Sequence, residues 1–230
     1  MAGGLVRYNA RRTADFIRKN GVTVRWERGI KCPCLTDDLK PSLACMLCFG
    51  HGYAYPGDEV ILMRGLLTSM QSQDPITQAG LLQTGEMQFT PPAGVRMDDG
   101  DRLTLLQFDR RESEVVDRGS GDREALRHLE PIKIVAVYER REVAGEHVLH
   151  RFDPESYRLE GRSVVWVLDE EGSPVDAPAR FGQYTVQYDY RPKYMVHRLQ
   201  DPRYRGAQDA TMPQSVNVKF MTPLSQGRST

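Results

Sequence analysis

All four cysteines of this 230-residue chain lie between positions 32 and 48, and their spacing constrains the fold more than any other feature. They are Cys32, Cys34, Cys45 and Cys48, in the pattern C-x-C-x10-C-x2-C. Two close pairs joined by a short loop can place four thiolates tetrahedrally around Zn²⁺, with Zn–S distances of about 2.3 Å. Such a site supplies folding free energy to a segment too small to build a hydrophobic core. The spacing therefore predicts a structural zinc knuckle.

The residues around the cysteines support a loop-rich module, because residues 28–58 hold three prolines and four glycines. Four thiolates leave no open position for water, so the predicted site is structural rather than catalytic. Disulfides and free structural thiols are the alternatives, and a cytoplasmic chain, in which disulfides rarely persist, favours zinc over both. His51 could replace one cysteine as a ligand, although a histidine between two glycines is more often a loop residue.

The remainder of the chain has the period of β-strands. In residues 184–191, for example, three tyrosines and a valine alternate with polar residues, which is typical of a half-buried strand. Turn sequences rich in Pro, Gly and Asp separate the strand candidates, and no βαβ rhythm is present. We expect a mainly β fold, a barrel or sandwich, with an N-terminal helix over residues 5–19, the four-cysteine zinc knuckle and an extended C-terminal arm. The strand candidates are residues 22–26, 59–66, 85–90, 102–108, 132–139, 147–152, 163–168, 184–191 and 215–220.

These patterns predict three segments along the chain. Residues 1–57 contain the N-terminal helix and the knuckle, residues 58–205 form the β-barrel domain, and residues 206–230 form the arm. Within the barrel domain, residues 109–130 are dense in charge and predict a long solvated loop.

Charge is balanced over the whole chain, with 31 basic and 31 acidic residues, which argues against a protein that mainly coats nucleic acid. Residues 1–31 are an exception, with eight basic residues against Asp15 and Glu27. We expect Arg7, Arg11, Arg12 and Arg18 to bind an acidic protein surface or to face packaged DNA. A solvated helix face is the alternative.

The C-terminal arm contains a second candidate for partner binding. Residues 215–220 alternate polar and apolar side chains, so that Val216, Val218 and Phe220 share one face. A weakly periodic connection of about twenty residues precedes them and is long enough to reach outside the barrel. We expect this strand to add to the sheet of a neighbouring subunit, and closure of its own sheet is the alternative.

Sequence signatures of enzymes are absent: the chain has no nucleophile elbow, phosphate loop, His-Glu-x-x-His motif or dinucleotide fingerprint. We therefore expect no enzymatic activity. Asp98, Asp99 and Asp101 could bind Ca²⁺, but a polar hairpin turn explains them better because the other ligands of a calcium loop are missing. No apolar run approaches the roughly 20 residues of a membrane span and the N-terminus lacks a secretory segment, so we expect a soluble protein made in a cytoplasm and no membrane partner.

The cysteine knuckle continues as Cys48-Phe-Gly-His-Gly-Tyr53-Ala-Tyr55, and a β region leads to the stretch Tyr184-Thr-Val-Gln-Tyr-Asp-Tyr-Arg-Pro-Lys-Tyr194. This combination resembles the neck proteins of tailed bacteriophages, over about residues 30–195. The resemblance implies a β-barrel that forms a homo-oligomeric ring in the virion neck, between the portal and head on one side and the tail on the other. It also implies a mechanical role in extending or closing the DNA channel, portal or adaptor and tail proteins as partners, and assembly in the host bacterial cytoplasm.

A zinc-knuckle module that binds nucleic acid is the alternative function, with residues 7–31 as its contact surface. The neutral net charge and the long β region disfavour it.

Overall fold

The structure is a computed structural model, and it describes residues 10–36, 40–69, 86–199 and 214–221. It confirms a mainly β fold with one short N-terminal helix. The elements are α1 (Ala10–Asn20), β1 (Val22–Glu27), β2 (Ile30–Lys31), β3 (Tyr53–Ala54), β4 (Val60–Ser69), β5 (Glu86–Thr90), β6 (Arg102–Leu105), β7 (Arg110–Asp117), β8 (Arg123–Ala125), β9 (Pro131–Val143), β10 (Glu146–Arg151), β11 (Tyr157–Glu160), β12 (Ser163–Trp166), β13 (Gln183–Tyr190), β14 (Lys193–Leu199) and β15 (Val216–Phe220).

Strands from both ends of the chain form a closed six-stranded barrel, in the order β1-β4-β5-β15-β14-β6. Each strand is antiparallel to its neighbours, and pairing of β1 with β6 closes the ring. Alternate residues point inward and fill the interior, so the barrel is a packed core and not a pore. The fully or almost fully buried residues of this core include Val24, Trp26, Phe89, Leu103, Val196, Val216 and Val218. Together with α1 and the knuckle, the barrel makes up one compact unit, which we call the barrel unit.

Residues 108–192 form a second compact unit, the inserted unit. It contains a four-stranded antiparallel sheet, in the order β10-β9-β13-β7, and a three-stranded sheet, in the order β11-β12-β8. One face of the larger sheet is buried, and its Tyr184 ring meets Trp166 of the smaller sheet edge to face, with 5.4 Å between centroids. The buried carboxylate of Glu124 accepts hydrogen bonds from Trp166 Nε1 and the Tyr184 hydroxyl, at 2.9 Å each. This unit therefore has its own core.

The division into two units differs from the predicted segments. The predicted barrel domain, residues 58–205, contains the whole inserted unit, while the barrel itself also needs β1 and β15 from outside that range. The loop expected at residues 109–130 is also wrong, because it contains β7 and β8. β7 has charged side chains on both faces, a pattern that edge strands tolerate and that alternation of polarity does not detect.

The C-terminal strand lies in the chain's own barrel. β15 pairs with β14 on one side and β5 on the other, and Val216 and Val218 have no exposed surface. Phe220 packs partly buried against the same core, with its ring 5.5 Å from that of Tyr194. The prediction that these residues add a strand to a neighbouring subunit is therefore wrong, since the barrel would remain open without β15.

Candidate metal centre

The structure brings the four cysteines together. The Sγ atoms of Cys32 and Cys45 lie 3.7 Å apart, those of Cys34 and Cys48 lie 3.5 Å apart, and all four lie within 4.8 Å of one another. A regular tetrahedron with Zn–S bonds of about 2.3 Å has S···S edges of about 3.8 Å, which these distances approach. None of the four cysteines forms a disulfide. The cluster therefore fits a single metal ion with four sulfur ligands.

Backbone amides point at the sulfur atoms and tune their acidity. The amides of Cys48 and Leu47 donate to the thiol of Cys45 and lower its pKa to about 6. At Cys34 the amide of Ser42 acts in the same direction, but burial and the neighbouring sulfurs outweigh it and raise the pKa to about 12. A metal ligand must lose its proton, so the lowered pKa of Cys45 favours the thiolate form that binds a metal ion.

Tight turns produce this arrangement of sulfurs. The amide of Cys45 donates to the Ser42 carbonyl at 3.1 Å, and the amide of Phe49 donates to the Cys45 carbonyl at 2.8 Å. Phe49 then adopts a positive φ of 50°, which is uncommon for a residue with a side chain, and Gly50 continues at 82°. The backbone therefore reverses directly after the second cysteine pair, which turns both of its sulfurs toward the first pair.

The knuckle is bonded to the barrel unit through two tyrosines that follow the second cysteine pair. The Tyr53 hydroxyl donates to Asp99 at 3.1 Å, and the Tyr55 hydroxyl donates to the Gly100 carbonyl at 2.9 Å. The Arg102 guanidinium lies over the Tyr55 ring at 3.9 Å from its centroid, within the range of a cation–π contact. Gly100 has a positive φ of 87°, and a Cβ at this position would overlap the Tyr53 ring, so only glycine fits there.

The carboxylate of Asp101 holds the start of the knuckle against the barrel. It is 2% exposed and accepts hydrogen bonds from Trp26 Nε1 at 2.9 Å, the Asp98 amide at 3.0 Å and the Gly29 amide at 3.1 Å. Trp26 belongs to the barrel core, whereas Gly29 leads into the knuckle. The sequence pattern indicates only a polar turn at this position, and nothing in it signals three donors converging on one aspartate.

A second polar contact beside the knuckle is a bidentate ion pair. Arg102 donates to both carboxylate oxygens of Glu27, at 2.7 and 3.0 Å, and both side chains are at least 85% buried. Burial alone would raise the pKa of Glu27, but the hydrogen bonds from Arg102, with the charges of Arg102, Arg25 and Lys193, lower it below its usual value. The pair fixes the side chain on which Tyr55 stacks.

The other predicted site residues do not join this centre. Arg11, Arg12 and Arg18 are exposed on α1, which is anchored mainly by the buried side chain of Ile17, and Arg18 pairs with Asp15 at 3.0 Å. Arg7 lies outside the described residues. Among the described residues, the four cysteines are the only group of three or more Cys, His, Asp or Glu side chains close enough to share an ion, so the calcium alternative finds no support there.

The surface of the knuckle includes three large apolar side chains. Leu43, Met46 and Leu47 are 57–67% exposed, and two of them lie between the cysteines of the second pair.

In the described part of the chain, no helix is long and apolar enough to cross a membrane. No protein-family model matches the chain, and no curated protein is significantly similar to it.

Proposed function

We propose that this protein is a structural subunit of the neck of a tailed bacteriophage. Copies of it would form a ring that connects the portal and head to the tail and extends or closes the DNA channel. Its partners would be further copies of the chain and the portal, adaptor or tail proteins of the same virion. Its role would be mechanical and not enzymatic.

The observation that carries this proposal is the attachment of a four-cysteine knuckle to a closed β-barrel. The knuckle and the tyrosines after it are the part of the sequence that resembles phage neck proteins, and the barrel is the fold that this resemblance implies. Tyr53 and Tyr55 bond the two together, so the knuckle is a brace on the barrel and not a separate module. A braced barrel suits a part that must keep its shape under the pressure of packaged DNA.

We further propose that the ion is Zn²⁺. Four soft thiolates at nearly tetrahedral distances favour zinc over Mg²⁺ or Ca²⁺, which prefer six or more oxygen ligands. With four protein ligands the coordination is complete, so the ion would stabilise the loop and would not activate water.

Labelling of intact particles tests the proposed function. A phage that encodes this chain would be grown with an affinity tag on it, and purified virions would be imaged with gold-labelled antibody. We expect label at the junction of head and tail, and we expect deletion of the gene to leave filled heads and free tails unjoined. A chain that is missing from purified virions would contradict the proposal.

The exposed basic helix α1 favours a second candidate function, the binding of nucleic acid. Arg11, Arg12, Arg18 and Lys19 lie on its solvent-exposed surface, and Asp15 is the only acidic residue of the helix. Titration of a DNA duplex at several salt concentrations separates the two functions. A module that binds phosphates through these four cations would lose affinity with a log–log slope of about −3 to −4, whereas a ring subunit without this activity would show no such slope.

A further inference from the structure

Among the strands that the structure describes, none pairs with the outer edge of β10 or of β7, the two edge strands of the larger sheet of the inserted unit. Every residue of β10 except His150 is exposed, and so are five of the eight residues of β7. An edge strand with exposed residues presents backbone N–H and C=O groups to which another strand can add. The inserted unit therefore has two surfaces, one at each side of the same sheet, that a further strand could extend.

Neighbouring hydrogen bonds show which residues of the two edge strands direct their backbone N–H and C=O groups away from the sheet. The amide of Phe152, directly after β10, donates to the carbonyl of Val137 in β9 at 3.0 Å. The amide of Arg118, directly after β7, donates to the carbonyl of Gly182, directly before β13, at 2.8 Å. Because backbone groups alternate in direction along a strand, the outward residues are the odd-numbered ones. They are His147, Leu149 and Arg151 in β10, and Arg111, Ser113, Val115 and Asp117 in β7.

The topology of the sheet allows copies to add in one orientation. The order is β10-β9-β13-β7, and each strand is antiparallel to the next, so β7 runs opposite to β10. A second copy placed beside the first in the same orientation would bring its β10 antiparallel to the first copy's β7. Its buried and open faces would then continue those of the first copy.

The side chains of the two edges also match. On the open face, Leu149 of β10 is 70% exposed and Val115 of β7 is 65% exposed, and both line a surface groove of about 580 Å³. If these two residues are placed opposite each other, an antiparallel pair also sets His147 opposite Asp117 and Arg151 opposite Ser113. This register therefore contains one apolar pair, one pair of a histidine with an aspartate, and one pair of an arginine with a serine. Apolar, oppositely charged and hydrogen-bonding pairs are the types that stabilise neighbouring strands.

Other registers are worse. A slip of two residues in one direction sets Arg151 opposite Arg111, which is repulsive. A slip of two residues in the other direction sets Leu149 opposite Asp117. A slip of one residue exchanges the two faces of the added strand, and the outward backbone groups no longer face each other. One register is therefore clearly preferred.

We propose that copies of this chain join head to tail, with β10 of one copy pairing with β7 of the next and Leu149 opposite Val115. The inference rests on the proposed function for its partner, a further copy in a ring, but it identifies the surface from the sheet alone. Because β10 and β7 are different edges, each copy that has paired through one of them keeps the other free for a further copy. Contacts of this kind generate a closed ring when the rotations between successive copies add up to a full turn.

Cross-linking tests the register. In the double variant Val115→Cys/Leu149→Cys, the proposed pair has Cα atoms about 5.5 Å apart, which suits a disulfide. Within one copy the two positions are separated by three strand spacings, about 14 Å, so the bond can form only between copies. We expect mild oxidation in the presence of zinc to give a ladder of multimers, with the bond between positions 115 and 149 confirmed by peptide mapping.

The control is the double variant Ser113→Cys/Leu149→Cys, which places the cysteines diagonally across the proposed joint. We expect at least tenfold less cross-linking, because the Cβ atoms would be about 7 Å apart. Equal cross-linking in the two variants, or none in the first, would overturn the proposed joint.

A mixing experiment tests the head-to-tail arrangement. Leu149→Pro and Val115→Pro each remove only an outward amide, so each variant should keep its own sheet, which circular dichroism would check. We expect neither variant to assemble alone and the mixture to form one-to-one pairs and nothing larger. If a proline variant fails to fold, a mixture of the single variants Val115→Cys and Leu149→Cys decides the question, because a head-to-tail joint should cross-link it only into one-to-one dimers.

The outcomes separate this inference from the proposed function. Rings that persist in both proline variants would refute the joint and leave the neck function standing. A cross-linked ladder from a chain that is missing from virions would refute the neck function and leave the joint standing.

Discussion

Substitution of Asp101 by Asn tests whether the knuckle is held to the barrel by a buried carboxylate. Asparagine has the same shape but only one acceptor oxygen, and its NH2 group is a donor. If the oxygen takes the place of Oδ2, it keeps the bonds from Trp26 and the Asp98 amide, and the NH2 group then faces the Gly29 amide. Two donors would meet there without an acceptor.

The size of the effect follows from these three bonds. Hydrogen bonds to a charged group contribute about 1.5–3 kcal/mol each and neutral ones about 1 kcal/mol. The variant loses one hydrogen bond to a charged group and makes two others weaker, because their acceptor is now neutral. Burial of a neutral amide costs less free energy than burial of a carboxylate, which offsets part of this loss. We expect the free energy of unfolding of the barrel unit to fall by about 2–3 kcal/mol.

Urea unfolding followed by tryptophan fluorescence measures this change, because Trp26 lies in the barrel unit and the only other tryptophan, Trp166, lies in the inserted unit. Trp166 is the same in every protein compared, so a difference between the transitions of two variants reports on Trp26. With a slope of about 2 kcal/mol per M, the midpoint should fall by about 1–1.5 M. Asp99→Asn is the matched control: Asp99 is exposed and accepts one hydrogen bond, and we expect a change below about 0.5 kcal/mol. Equal midpoints for the two variants would refute the role of Asp101.

Three further predictions concern the metal, the ion pair and the last strand. Metal analysis should find about one zinc per chain, and Cys48→Ser should abolish binding while Trp26 keeps its folded fluorescence; four freely titrating thiols in a zinc-free native protein would contradict this. Because the folded pKa of Glu27 lies below the unfolded value of 4.5, its ion pair stabilises the barrel above pH 4.5 and less as pH falls through the folded pKa. The stability difference between wild type and Glu27→Gln, measured by urea unfolding, should therefore shrink below that pH, and a constant difference would count against the pair. Deletion of residues 212–230 should unfold the barrel unit and change Trp26 fluorescence while Trp166 stays protected, because β15 is a barrel strand; an unchanged melting temperature would disprove this.

Local chemistry and local periodicity were readable from the sequence. The cysteine cluster was predictable because four ligands within a short loop can meet only near that loop. All nine strand candidates correspond to strands of the structure, and the helix predicted to end at residue 19 ends at Asn20. In each case the sequence pattern that predicts the element lies within a short stretch of the chain.

The sheet in which a strand lies is a different kind of property. β15 and β13 have similar alternation of polar and apolar residues, yet one closes the barrel and the other lies in the inserted unit. Alternation reports that one face is buried, and it does not report which partner strand buries it. For that reason the predicted barrel domain included the inserted unit, and the last strand was assigned to a neighbouring subunit.

The segment boundary predicted at residue 57 has the same limitation, because a local sequence pattern does not report contacts between residues that are distant in the chain. Residues 28–58 look separate in sequence because they are rich in turns and contain all the cysteines. In the structure, Gly29 bonds to Asp101 at the start of this segment and Tyr55 bonds to Gly100 near its end, so the segment leaves and rejoins the barrel at one turn. An ion bound by the four cysteines would link the two cysteine pairs between these contacts, and the contacts would in turn favour the arrangement of sulfurs that binds the ion. By thermodynamic linkage, each should stabilise the other, so loss of the ion should lower the free energy of unfolding of the barrel without unfolding it.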